Sequence, residues 1–212
     1  MSRAALFFVV PVFLALAACA PPQEMATTTA APDAASRAVM LGQLGHGVGD
    51  VKLVRETGAR ILWEQTRGAP RVMFFGFTHC PVICPTTLYQ LDATRTLLGE
   101  DGARIGIDFV TVDPARDTAS VLQAYLAAFG HGVRGFTGQT EDIRRLAAAY
   151  RAAFRIQHSA DGEYTVDHTT MIYCIAADGR VVDMFPFDAP RATIEARLRS
   201  LAASAAGSVR AP

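Results

Sequence analysis

Two cysteines four residues apart stand where a continuous apolar run gives way to a helical pattern. Val72 to Phe77 is followed by Thr78-His79-Cys80-Pro81-Val82-Ile83-Cys84-Pro85, and from Thr86 to Leu98 the spacing of Leu88, Leu91, Leu97 and Leu98 is helical. A short, unbroken apolar run suits a strand buried on both faces, as in a parallel sheet covered by helices. The feature therefore commits the chain to an α/β layout with both thiols at a strand-to-helix joint. If the helix starts near Cys84, the spacing puts both sulfurs on one face, close enough to chelate an ion or close a disulfide. Free N–H groups at the helix start stabilise thiolate there. The position suits metal or redox chemistry, and a purely structural pair does not require it.

The rest of the pattern extends this unit. Val51 to Val54 and Ala59 to Trp63 read as a short hairpin, and Ile105 to Val112 as a second buried strand ending at Asp113-Pro114. Helices are expected over Thr118 to Phe129 and Thr140 to Tyr150, with Thr140 as N-cap. Two hairpins follow: Phe154 to His158 with Tyr164 to Val166, and Met171 to Ala176 with Val181 to Phe185, each around an Asp-Gly turn. Ala189 to Ala203 reads as a closing helix. The expected fold is α/β and thioredoxin-like: a central mixed sheet flanked by helices, with an added N-terminal β-hairpin. Open α/β sheets place ligands beyond the carboxyl ends of their strands, where Cys80 and Cys84 fall.

The N-terminus has a different character. Arg3 is the only charge before an apolar stretch from Ala4 to Leu16, which ends in Leu16-Ala17-Ala18-Cys19. The apolar stretch is shorter than the ~20 residues of a spanning helix, Pro11 interrupts it, and small residues precede the cysteine. Residues 1–18 are thus expected to be a cleaved export signal rather than a permanent anchor. The Leu-Ala-Ala-Cys run resembles the lipobox of bacterial lipoproteins, which implies acylation of Cys19 and a membrane-anchored protein on the periplasmic side of the cell envelope. Residues 19–38, rich in Pro, Thr and Ala, read as the lipidated cysteine and a flexible tether reaching roughly 25 Å. Residues 39–204 form the domain and 205–212 a disordered tail. With 20 basic and 20 acidic residues the chain is neutral, which gives no support to nucleic-acid binding.

With Cys19 assigned to lipid, Cys80, Cys84 and Cys174 remain, too few for a disulfide scaffold. Among the five histidines, His168 in Val166-Asp167-His168-Thr169-Thr170 is best placed, because in a thioredoxin-like sheet the loop before the Met171 strand lies against the dithiol. Two sulfurs and an imidazole narrow a metal to copper or zinc. Without a fourth protein ligand the site is open, as ion transfer requires. His79 is a secondary candidate, able to lower the thiol pKa as a nearby cation. Met73, Met171 and Met184 and the extra thiol Cys174 read as core packing. Asp113, Arg116 and Asp117 either position the loop near the site or are ordinary strand-end punctuation.

On these residues the chain resembles the Sco/SenC family of copper-binding, thioredoxin-fold assembly factors. Phe75-Gly76-Phe77-Thr78-His79-Cys80-Pro81 and Cys84-Pro85-Thr86-Thr87-Leu88 match the family's CxxxCP motif, and Val112 to Thr118 its second block. Phe136-Thr137-Gly138 matches the third, and Val166-Asp167-His168 with Asp178-Gly179-Arg180 the last. The resemblance implies copper, as Cu(I) or Cu(II), held by Cys80, Cys84 and His168. It implies delivery to the copper-bearing subunit of cytochrome c oxidase at its binuclear copper site, with possible reduction of that subunit's cysteines by the redox-active pair Cys80 and Cys84. Other copper chaperones and thioredoxin-like reductases are further expected partners. Val82 departs from the Asp usual in the family's CxxxC loop. The principal alternative is a metal-independent extracytoplasmic thiol-disulfide oxidoreductase, against which stand the three-residue spacing and the absence of proline beside His168. A peroxiredoxin-like peroxidase would carry Thr three residues before its reactive cysteine, where this chain has Phe77 before Cys80 and Pro81 before Cys84, and a copper sensor shares the metal site and differs in its partner.

Overall fold

The computed structural model describes residues 33–159 and 161–208. The expected leader, Cys19, most of the expected tether and residues 209–212 lie outside the described residues. The first element is a helix, α1 (Ala34–Gly42), capped by the Asp33 side chain, which accepts from the Ser36 N–H at 2.7 Å. The tether expected to run through Ala38 is therefore helical from Ala34. The cause is long-range: Leu41 is buried and Arg37 ion-pairs with Asp183 at 2.6 Å.

The hairpin β1 (Lys52–Arg55) and β2 (Arg60–Leu62) leads through a 3₁₀ turn at Trp63–Thr66 to β3 (Arg71–Gly76). Every residue of β3 is buried. The strand alternates its side chains: Phe74 meets Phe109 at 5.3 Å, whereas Phe75 meets Tyr150 and Tyr173 at 6.1 and 6.2 Å. A helix, α2 (Ile83–Leu97), follows three residues earlier than the leucine spacing suggests, and after the short α3 (Glu100–Ala103) comes β4 (Gly106–Thr111), parallel to β3. Then come α4 (Ala119–Leu126), β5 (Val133–Gly138) and α5 (Thr140–Ala149). Thr140 is the first helical residue, not the cap, and Gln139 in the cap position makes no side-chain hydrogen bond.

Both expected hairpins are present and differ in kind. In the first, β6 (Phe154–His158) and β7 (Tyr164–His168) form a separate two-stranded sheet. In the second, β8 (Met171–Ile175) and β9 (Val181–Pro186) join the main sheet through antiparallel pairing of β8 with β3. The seven-stranded order is β2-β1-β5-β4-β3-β8-β9, with β3, β4 and β5 parallel and the outer strands antiparallel. The helix α6 (Arg191–Ser208) closes the chain, and its backbone runs past Ala203 into the stretch expected to be a disordered tail. Its buried Ile194, Leu198 and Leu201 hold it against the core. The result is a thioredoxin-like mixed sheet flanked by helices, with the β1–β2 hairpin added at one edge. Among the described residues no helix is long and apolar enough to cross a membrane.

Candidate metal centre

The carboxyl end of β3 delivers Phe77, and the chain then bends through Cys80 into α2. No side chain caps α2 from Val82. Instead the Cys84 N–H donates to Cys80 Sγ at 3.4 Å, so the first sulfur occupies the place of a helix cap. Gly76 makes room for the second: a Cβ there would stand 2.7 Å from Cys84 Sγ and 2.6 Å from the Phe109 ring. Cys84 is fully buried, Cys80 sits at the edge of burial at 9%, and both are free thiols.

The two sulfurs have opposite acidities. A hydrogen bond from the Cys84 thiol, with N–H groups of Cys84, Val82 and Ile83, pulls the Cys80 thiol down to about 5. The same shared hydrogen bond, together with burial, pushes Cys84 far above the ordinary thiol range. The pair thus holds one thiolate and one thiol at neutral pH.

His168 is the last residue of β7 rather than part of the loop beyond it. Its Nδ1 lies 3.0 Å from the Thr169 carbonyl, which selects the tautomer that donates there and leaves the Nε2 lone pair free. Nε2 points at Cys84 Sγ, 4.0 Å away, and Phe77 meets the imidazole edge to face at 5.9 Å. Two ligands bonded at about 2.3 and 2.0 Å to one ion, about 120° apart, would stand ~3.7 Å from each other. This pair is a few tenths of an ångström wider. Among the described residues no three His, Cys, Asp or Glu side chains are already drawn together tightly enough to enclose an ion. The donor set is soft and open on one side, as Cu(I) or zinc with a vacant position requires.

Cys80 and His168 line one cavity of about 510 Å³ with Phe77, Pro81, Val82 and Val166. Val82 is 63% exposed on its rim. His79 does not line it: its Nδ1 stands 4.0 Å from Asp117 on the outer side of the loop. Cys174 is elsewhere, opposite Val72 in the sheet, and lines a separate cavity beside α1 and α6. Met73 is fully buried, and Met171 and Met184 pack on the core. Local patterning did not single out Tyr164, Thr78 or Thr111. All three contact the turn that carries Asp113 and Asp117.

The family model described as SCO1/SenC matches residues 42–203. The mitochondrial SCO2 homolog of Danio rerio is 34% identical over 152 residues, covering 70% of this chain and 54% of that protein. The chain spans about half the length of the first curated relatives it matches, between 41% and 57%. The structure of Bradyrhizobium japonicum ScoI with copper bound aligns with a TM-score of 0.66 at 32% identity, over 74% of this chain and 99% of that one. Yeast Sco1 with copper bound aligns with a TM-score of 0.67 at 27% identity, over 80% of this chain and 96% of that one.

Proposed function

The chain belongs to the SCO1/SenC family, and from that premise we propose that it holds copper through Cys80, Cys84 and His168 and passes it to an acceptor protein. The acceptor proposed is the copper-bearing subunit of cytochrome c oxidase, at its binuclear copper site. The observation that carries the reading is the convergence of one imidazole nitrogen on a dithiol, 4.0 Å from Cys84 Sγ, beside a cavity open to solvent. Copper-bound relatives of the same fold support it. A three-ligand site leaves a coordination position for an incoming acceptor ligand, so the ion changes hands without release into water.

The test is an anaerobic Cu(I) titration of the reduced full chain in competition with a chromophoric chelator, alongside Cys80→Ser, Cys84→Ser and His168→Ala. One tightly held copper, weakened in all three variants, is the expected result. If His168→Ala binds copper as tightly as the parent, the ligand assignment is wrong. We further propose that Cys19 carries lipid and tethers the domain to the periplasmic side of a bacterial envelope membrane. Incorporation of labelled palmitate, abolished in Cys19→Ser, checks this.

A second reading is favoured by the split acidity of the thiols. Cys80, held as thiolate, is built to attack a disulfide, and Cys84 to resolve the mixed disulfide that results. Two electrons then leave the Cys80 and Cys84 thiols as they join in a disulfide, and the partner's cysteines are reduced. Absence of tight copper from the reduced parent, with turnover of disulfide substrates, would favour this reading.

A further inference from the structure

The turn between β4 and α4, Asp113 to Thr118, touches both halves of the candidate site. Asp117 is fully buried and accepts from the Thr78 N–H at 2.9 Å, the Thr78 hydroxyl at 2.6 Å and the Thr111 hydroxyl at 2.6 Å. Thr78 lies two residues before Cys80, so these bonds fix the start of the thiol loop. Asp113 faces the other way. It accepts from the Tyr164 hydroxyl at 2.9 Å and pairs with Arg116. The Arg116 guanidinium stacks over the Tyr164 ring, 3.6 Å from its centroid, and donates to the Tyr164 carbonyl at 3.1 Å.

Tyr164 opens β7, the strand that ends in His168 and whose Thr165, Val166 and Asp167 wall the cavity beside the thiols. Because, among the described residues, β6 and β7 pair only with each other, the main sheet's hydrogen bonds do not hold this wall in place. Its ties to the body include the buried Val166, Phe154 and Tyr164 packed on the core, the Phe77 ring against His168, the chain that continues through Thr170 to accept from the Phe187 N–H, and the stack at Tyr164. Arg116 Nη2 is buried and, among the described residues, has no hydrogen-bond partner. Its desolvation cost is offset only by the ring, the carbonyl and the Asp113 carboxylate.

We infer that the Asp113–Thr118 turn is a bracket that sets the separation of the thiols from the imidazole, with Arg116 as the positioning residue that latches the histidine hairpin. This rests on the copper reading and assigns to it the residues that hold the third ligand in register. Arg116 touches neither sulfur nor imidazole and acts through Tyr164.

The test uses the reduced full chain, with Cu(I) competition and the Cu(II)-to-thiolate absorption spectrum as readouts, for Arg116→Leu, Tyr164→Leu, Tyr164→Phe and His168→Ala. Arg116→Leu and Tyr164→Leu are expected to weaken Cu(I) about tenfold and to shift the spectrum towards that of His168→Ala. The pH profile of Cys80 alkylation should be unchanged in both. Tyr164→Phe, which keeps the ring beneath the guanidinium, is expected to restore binding to within about threefold of the parent. A merely structural role would lower stability without moving the spectrum. If Arg116→Leu does not fold, Tyr164→Leu, at a half-buried position, carries the test. Parent-like affinity and spectrum in the leucine variants beside a weakened His168→Ala overturn the bracket alone. An unchanged His168→Ala overturns the copper-ligand reading and the bracket with it.

Discussion

The two halves of the site are built in opposite ways. Cys80 and Cys84 follow β3, an interior strand of the seven that is buried at every residue, and Cys84 Sγ packs against Gly76 with no exposure at all. His168 hangs from a two-stranded hairpin whose partner strand β6 has no fully buried residue and whose Ile156 is 47% exposed. The thiols therefore share the stability of the whole domain, whereas the hairpin that carries the imidazole, outside the main sheet, is expected to open at lower free energy. For a carrier this division is useful. A tightly held ion needs rigid ligands, and its release needs one ligand that moves away without unfolding the protein.

The largest effect should follow from cutting into the rigid half. Structural zinc sites gain about 10–16 kcal/mol from four ligands, so one soft ligand contributes ~3 kcal/mol, a factor of at least a hundred in affinity. Cys84→Ser is expected to lose that much, measured by chelator competition. The comparison breaks if His168→Ala costs more than Cys84→Ser, because the hairpin would then be the principal holder of the ion.

Gly76→Ala sharpens the same point without touching a ligand. The added methyl would meet Cys84 Sγ at 2.7 Å and the Phe109 ring at 2.6 Å, so one of them must move. We expect a loss of about 1–3 kcal/mol in denaturant unfolding, together with a fall in copper affinity of about tenfold or more. An equivalent methyl placed in the hairpin, Thr165→Val, should leave stability within about 0.5 kcal/mol. Unaltered copper binding in Gly76→Ala would mean that the core does not fix the thiol geometry.

The split acidity of the thiols gives a pH test. Cys80, drawn down to about 5, is already thiolate at neutral pH, while Cys84, pushed up, must release its proton when metal binds. Between pH 7.5 and 8.5 copper affinity should therefore rise about tenfold per pH unit, one proton released, rather than a hundredfold. In the apo chain, iodoacetamide should modify Cys80 with a rate that falls away only as pH drops through about 5. A slope of two protons would place Cys80 among ordinary thiols.

Much of the rigid half was legible in the sequence, because its signals are local. The unbroken run Val72 to Phe77 marks β3, the cysteine spacing marks the joint, and the Asp-Gly turns mark both hairpins. The central strand β5 was missed. Val133-Arg134-Gly135-Phe136-Thr137-Gly138 holds the strand formers Val133, Phe136 and Thr137, but two glycines and an arginine break the apolar run, and Gly135 is required where a Cβ would stand 2.7 Å from Leu126. The bracket was half legible: Asp113, Arg116 and Asp117 read equally well as turn punctuation. What decides between the two readings is contact with Tyr164, 51 residues from Asp113, and with Thr78, 39 residues from Asp117. Helix α1 escaped for the same reason, since its anchor Asp183 lies 146 residues from Arg37.

The smallest effect is expected at Cys174, the thiol that belongs to neither half. It is buried, pairs in the sheet with Val72 and Asp183, and burial with the nearby Asp183 carboxylate pushes it up to about 12. At neutral pH it is a protonated apolar group, neither soft ligand nor nucleophile. Cys174→Ala should therefore cost about 1 kcal/mol, for a sulfur lost from the wall of the cavity beside α1, and leave copper stoichiometry and affinity unchanged. The sign of its pH dependence is also fixed. Between about pH 9 and 12 the unfolded chain has released this proton and the folded chain has not. The parent must therefore lose up to about 1.4 kcal/mol of stability per pH unit there from this group, a loss absent from the alanine variant. Denaturation curves of the two chains at pH 8 and 10 measure the difference directly. Convergence of the curves with rising pH supports a buried neutral thiol. A fall in copper affinity would mean that thiol chemistry extends beyond the joint between β3 and α2.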